Sequence, residues 1–90
     1  MSATIVRQSV IDWLDDNYHF GDAEALIGDD ERSFLDHGIL DSLGFVQLVL
    51  FLENRFGVRV DRKHLTRENF DSLGRIIRYV VARPEYREVA

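Results

Sequence analysis

Apolar residues recur at helical spacing in three long stretches of the chain and lose that periodicity between them. Val6, Val10, Trp13 and Leu14, widened by Ile5 and Ile11, predict a first helix over about 4–17 with Ser2 or Thr4 as its N-cap. From Tyr18 to Asp41 no period is sustained. This long loop is expected to be pinned by Phe20, Leu26, Ile27, Phe34 and Leu35, with Ser33 capping a single turn that closes at Gly38 and delivers Ile39 and Leu40 to the core. The second helix, about 42–56, places Phe45, Leu48, Val49, Leu52 and Phe56 on one face at i, i+3, i+4, i+7 and i+11. Leu43, Val46 and Leu50 form a second stripe on nearly the opposite side. Either the following loop covers that stripe or it is a surface for another molecule.

Gly57 ends this helix, Val58-Arg59-Val60 reads as an extended connector, and Asp61 can cap a short, irregular third helix over 62–69. Asp71 is the expected N-cap of a fourth helix, about 72–83, in which Leu73, Ile76, Ile77, Val80 and Val81 repeat at i, i+3, i+4, i+7 and i+8. Pro84 stops it and leaves a tail expected to fray. The predicted fold is all-α: a small four-helix bundle of three main helices and one short one, with a long first loop. Residues 1–90 are read as one domain with its core at about 4–83 and a tail at 84–90.

Composition narrows the possible chemistry. Ninety residues bury only about 60–65% of the surface that the unfolded chain exposes, which leaves little room for a large enzyme cleft. The chain has no cysteine, so disulfides, thiolate metal sites and a cysteine nucleophile are excluded. The formal net charge of −5 disfavours a nucleic-acid partner. Residues 1–45 carry ten carboxylates against two arginines, net −8, and residues 46–90 carry nine basic residues against six acids, net +3. Such asymmetry can orient a partner. The N-terminus shows no leader pattern, and no apolar run approaches the roughly 18 residues of a membrane span. A cytoplasmic location is therefore expected, and nothing argues against a monomer.

The chemistry centres on Asp36-His37-Gly38-Ile39-Leu40-Asp41-Ser42-Leu43. Ser42 lacks the flanking glycines of a hydrolase elbow, because Leu40 stands two residues before it, and no base lies nearby in sequence. His19, His37 and His64 are too scattered for a zinc site and are expected to be exposed loop residues. Asp29-Asp30-Glu31 lacks the glycine and closing glutamate of a calcium loop, so capping and solubility account for it, as solubility does for Asp12, Asp15 and Asp16. Asp41 can cap the second helix through the N–H of Leu43 or Gly44. An anion attached to Ser42 would meet free N–H groups and the positive end of the helix dipole. Asp36 and Asp41 would repel that anion, yet could help hold a divalent cation during its attachment.

The run from Phe34 to Leu43 resembles the signature of the acyl and peptidyl carrier protein family. The similarity continues through Val46, Leu48, Val49, Leu52, Glu53, Phe56 and Gly57, then through Asn69-Phe70-Asp71-Ser72-Leu73 and Ile77. It implies that Ser42, beside Asp41 and Asp36, carries covalent 4′-phosphopantetheine placed there from coenzyme A by a phosphopantetheinyl transferase. The chain itself would not be an enzyme. The thiol of the arm would hold an acyl or aminoacyl thioester loaded by an adenylate-forming ligase and passed to a downstream acyltransferase or synthase. Leu43, Val46, Gln47, Leu50 and Arg62 would be the surface that partners read. The alternative is an unmodified helical interaction module that uses the same stripe.

Fatty-acid carriers of that family have an acidic second helix. Here Gln47 and Asn54 stand outward, Glu53 is the one acid, and Arg55, Arg59, Arg62 and Lys63 are basic. The pattern is closer to D-alanyl and other stand-alone aminoacyl carriers. Phe45, Phe51, Phe56 and Phe70 are expected to fill the core, so that short or polar cargo stays outside it.

Overall fold

The computed structural model describes residues 2–19 and 21–87, so the pinning role expected of Phe20 and the last three residues of the tail lie outside the described residues. Helix α1 spans Ser2–Leu14, which puts Thr4 inside it rather than ahead of it. Val6, Val10, Ile11 and Leu14 are buried against the bundle, chiefly against the last helix. The helix then loosens into a π turn, Asp15–His19, where the Asn17 side-chain amide donates to the Trp13 carbonyl at 2.8 Å. Asp15 does more than keep the chain soluble. Its Oδ1 accepts from the N–H groups of Gly21, at 3.1 Å, and Ala23, at 2.8 Å, and so satisfies the start of helix α2, Ala23–Ile27.

Helix α2 is not expected from the sequence. It is five residues long, and its two buried side chains, Ala23 and Ile27, make a single i, i+4 contact with the core. That is too short to register as a period. Of the other residues expected to pin the loop, Phe34 is buried, Leu35 half-buried and Leu26 exposed. Residues 29–31 also have a role beyond capping and solubility. Asp29 Oδ1 accepts from the Glu31 N–H at 2.7 Å, the Asp30 carbonyl accepts from the Gly74 N–H at 2.7 Å, and Arg78 donates twice to the Glu31 carboxylate, each at 3.1 Å. These bonds fasten the loop to the last helix. A Cβ at Gly74 would displace the Glu31 carboxylate and come within 3.2 Å of the Asp30 carbonyl oxygen, so the loop packs closely on the start of α5.

The turn from Ser33 to Gly38 forms as expected. Ser33 Oγ accepts from the Asp36 N–H at 3.0 Å, and Gly38 adopts the left-handed conformation, φ +67°. Helix α3 spans Ser42–Phe56 and closes on Gly57, φ +71°, whose N–H donates to the Glu53 carbonyl. Its core face is the predicted one: Phe45, Leu48, Val49, Leu52 and Phe56 are all buried, each stabilising the fold by about 1.5–3 kcal/mol.

The predicted third helix is two pieces, a 3₁₀ turn at Arg62–His64 capped by Asp61 and helix α4 at Arg67–Phe70. Helix α5 spans Leu73–Ala82, and its N-cap is Ser72, which accepts from the Arg75 N–H at 3.2 Å, rather than Asp71. The residue after α5 does not begin a frayed tail. The Arg87 N–H donates to the Phe56 carbonyl at 2.9 Å, Tyr86 stacks on Phe56 at 5.6 Å, and Glu85 accepts from the Arg59 N–H at 2.9 Å. Among the described residues there is no strand, and no helix is long and apolar enough to cross a membrane.

Candidate functional site

Helix α3 begins where two local signals agree. Asp41 has extended backbone, φ −92° and ψ −177°, and its Oδ1 accepts from the Gly44 N–H at 2.7 Å while its carbonyl accepts from the Phe45 N–H at 2.9 Å. Ser42 is therefore the first residue of a fifteen-residue helix, and it is exposed. The N–H groups of Ser42 and Leu43 have no intrahelical acceptor at this position. An anion on the oxygen of this exposed residue would face them at the positive end of the dipole. These residues fit a phosphodiester.

Gly44, two residues on, is buried for reasons of space. A Cβ there would lie 2.9 Å from Leu40 Cδ2, 3.1 Å from the Tyr18 hydroxyl and 3.2 Å from Asp41 Oδ1. Tyr18 is the residue that sequence reasoning missed. Placed in the first loop by periodicity, it is carried by the π turn to the start of α3, where its hydroxyl donates to Gln47 Oε1 at 2.7 Å. The available signal is an aromatic cluster spread over the chain: Trp13 lies 5.6 Å from Tyr18 and stacks on Phe51 at 5.8 Å.

The second stripe of α3 is open. Leu43, Val46 and Leu50 are 66%, 44% and 53% exposed, so burial beneath the following loop is not what happens. Every exposed position of the helix is uncharged: Ser42, Leu43, Val46, Gln47, Leu50 and Asn54. The two charged residues are turned to internal use, Glu53 accepting from the Val60 N–H at 2.9 Å and Arg55 lying over the Phe56 ring at 5.5 Å. Arg62 is exposed, but on the separate 3₁₀ turn.

Asp36 is engaged rather than open. Its Oδ1 accepts from Arg67 Nη2 at 2.8 Å, and the same guanidinium reaches Asp71 through Nε at 3.0 Å and Nη2 at 2.8 Å. Asp71 is 3% exposed and also accepts from the Ser33 hydroxyl at 2.5 Å and the Leu35 N–H at 2.9 Å. Burial pushes its carboxyl up, but the bonds from Ser33, Leu35 and Arg67 outweigh that, and its pKa falls below the ordinary 3.8. Of the histidines, His37 is exposed, with Nδ1 3.0 Å from the Ser33 carbonyl. His64 departs from expectation: it is half-buried, with Nδ1 3.1 Å from the Tyr79 hydroxyl. The side chain of His19 lies outside what is described. An open depression of about 420 Å³, lined by Glu68, Asn69, Arg75, Arg78 and Tyr79, lies on α4 and α5 and takes in no residue of α3.

An exposed serine thus stands at the capped start of the longest helix of a small helical bundle. The model of the phosphopantetheine attachment site family matches residues 6–80, and the chain belongs to that family. It is a carrier protein and not an enzyme, and its prosthetic group is covalent 4′-phosphopantetheine, which rules out the unmodified-module alternative. The chain is 32% identical over 72 residues to the D-alanyl carrier protein of Streptococcus gordonii, covering 80% of this chain and 86% of the relative. It is 36% identical over 47 residues to that of Streptococcus sanguinis, covering 52% and 60%, and 37% identical over 51 residues to that of Streptococcus suis, covering 57% and 65%. No solved structure matches it.

Proposed function

We propose that 4′-phosphopantetheine is attached to the Ser42 hydroxyl and that the protein is a cytoplasmic, monomeric carrier of an aminoacyl or short acyl group within a single domain. The observation that carries this reading is the exposed hydroxyl of Ser42 at the capped start of α3. Asp41 fixes the helix start. Ser42 offers its oxygen to a phosphopantetheinyl transferase, which supplies the base that takes its proton. When bound, the group contributes a terminal thiol that holds the cargo as a thioester. An adenylate-forming ligase loads that thiol and a downstream acyltransferase or synthase unloads it. Leu43, Val46, Gln47, Leu50 and Arg62 are proposed to meet these partners.

The D-alanyl carriers among its relatives, together with the uncharged α3 surface, favour aminoacyl cargo over long fatty chains. Phe56 and Phe70 are fully buried, and Phe45 packs edge-on against Phe70 at 6.1 Å, so the core is already filled. Loading the arm with alanyl or octanoyl groups and recording methyl NMR shifts tests this. Both cargoes should leave the methyl groups of Leu48, Leu52 and Ile76 unshifted. Large shifts with octanoyl would mean that the chain is taken inside.

A further inference from the structure

The turn that precedes Ser42 is tied to the segment 67–71 by direct bonds to Asp71 and, over them, by one guanidinium. Phe34 donates its N–H to the Asp71 carbonyl at 2.9 Å, and its own carbonyl accepts from the N–H groups of Ile39, at 2.9 Å, and Leu40, at 3.3 Å. These two bonds carry the turn's hold through Ile39 to Leu40, and only Asp41 separates Leu40 from Ser42, so a displacement of the turn is passed to the helix start. The inner half of the tie is the buried Asp71 carboxylate. The outer half is Arg67, whose Nη2 also donates to Ser33 Oγ at 3.1 Å and to Asp36 at 2.8 Å, and which is itself 54% exposed.

We propose that Arg67 is a positioning residue for the modification of Ser42: it clasps the 33–38 turn to α4 and neutralises Asp36, so that the site presents to an anionic donor in one geometry and with less negative charge. This rests on the reading of Ser42 as the attachment point. Arg67 serves both functions through one group, because its planar fork spans two carboxylates where a lysine would meet them as a point charge. Truncating Arg67 also removes two bonds to the buried Asp71 carboxylate, so a loss of stability is expected beside the effect on transfer, and the two are read separately.

Steady-state transfer from coenzyme A by a broad-specificity phosphopantetheinyl transferase provides the test, with thermal unfolding recorded for each variant. Arg67→Ala should lower kcat/KM about fivefold to tenfold, mainly through KM, as expected for residues that share a network. Arg67→Lys should recover part of the loss, and Arg67→Ala combined with Asp36→Ala should exceed Arg67→Ala alone, because no bare carboxylate remains. Arg78→Ala, which breaks the exposed pair with Glu31, is the control and should stay within about twofold of wild type. Equal kcat/KM for Arg67→Ala and wild type, an equal loss in Arg78→Ala, or strictly additive Arg67 and Asp36 effects would overturn the clasp alone. No modification of the wild type would refute the Ser42 reading and the clasp with it.

Discussion

Asp71 is a buried carboxylate that gathers bonds from Ser33, Leu35 and Arg67. A buried carboxylate is costly unless its acceptors are filled, and here Ser33, Leu35 and Arg67 fill them. Asp71→Asn replaces one acceptor oxygen with a donor that faces other donors. It should lower the unfolding free energy by about 2 kcal/mol in denaturant at pH 7. The pH dependence follows from the depressed pKa. The unfolded state takes up the proton first as pH falls, so the contribution of Asp71 is complete above about pH 4 and is lost as pH drops through its folded value. Glu31, held low by Arg78, and Glu85, held low by the Arg59 N–H, titrate in the same direction. Denaturant titrations from pH 6 to pH 2.5 should therefore show a shallower loss in Asp71→Asn than in wild type, and parallel curves would contradict this assignment.

Among the elements, α3 carries both the core and the interaction surface. Leu50→Asp replaces an exposed side chain and should change stability by no more than about 0.5 kcal/mol. Its cost belongs to partner contact: loading by a cognate ligase should fall at least about tenfold in kcat/KM. Because the exposed positions of α3 are uncharged and Arg62 is the one charge in the proposed surface, that loading should vary only modestly with added salt, and a steep salt dependence would assign recognition to further charges. The close approach of the 29–31 loop to α5 gives a separate test. Gly74→Ala must displace the exposed Glu31 carboxylate and crowd the Asp30 carbonyl, a cost partly offset by the helix propensity of alanine, so it should change stability by no more than about 1 kcal/mol in thermal or denaturant unfolding while breaking the Glu31–Arg78 pair.

The bounds of α3 were legible in the sequence because each of its determinants is local: the Asp41 cap, the period of Phe45 to Phe56 and the left-handed Gly57. The place of Ser42 at the helix start was legible for the same reason. Helix α2, Tyr18 and the role of Asp71 were not, since each depends on partners eight to thirty-eight residues away: Asp15 to Ala23, Tyr18 to Gln47 and Asp71 to Ser33. A capping reading of Asp71 is the local answer, and the structure gives the cap to Ser72 instead.

Across the whole molecule, part of the charge asymmetry is spent internally, since acids of the first half meet arginines of the second in the Glu31–Arg78 and Asp36–Arg67 pairs. The C-terminal segment closes the same structure, with Tyr86 on Phe56 and Arg87 on the end of α3. Truncation after Arg83 should lower the unfolding free energy by about 1–2 kcal/mol, through the lost aromatic pair and half-buried ring.

The central claim is that this folded surface holds one modifiable hydroxyl. Intact-mass measurement of the wild type and of Ser42→Ala, after incubation with coenzyme A, magnesium and a broad-specificity phosphopantetheinyl transferase, tests it most directly. One added phosphopantetheine is expected on the wild type and none on Ser42→Ala. Equal addition to both, or none to the wild type, would contradict it.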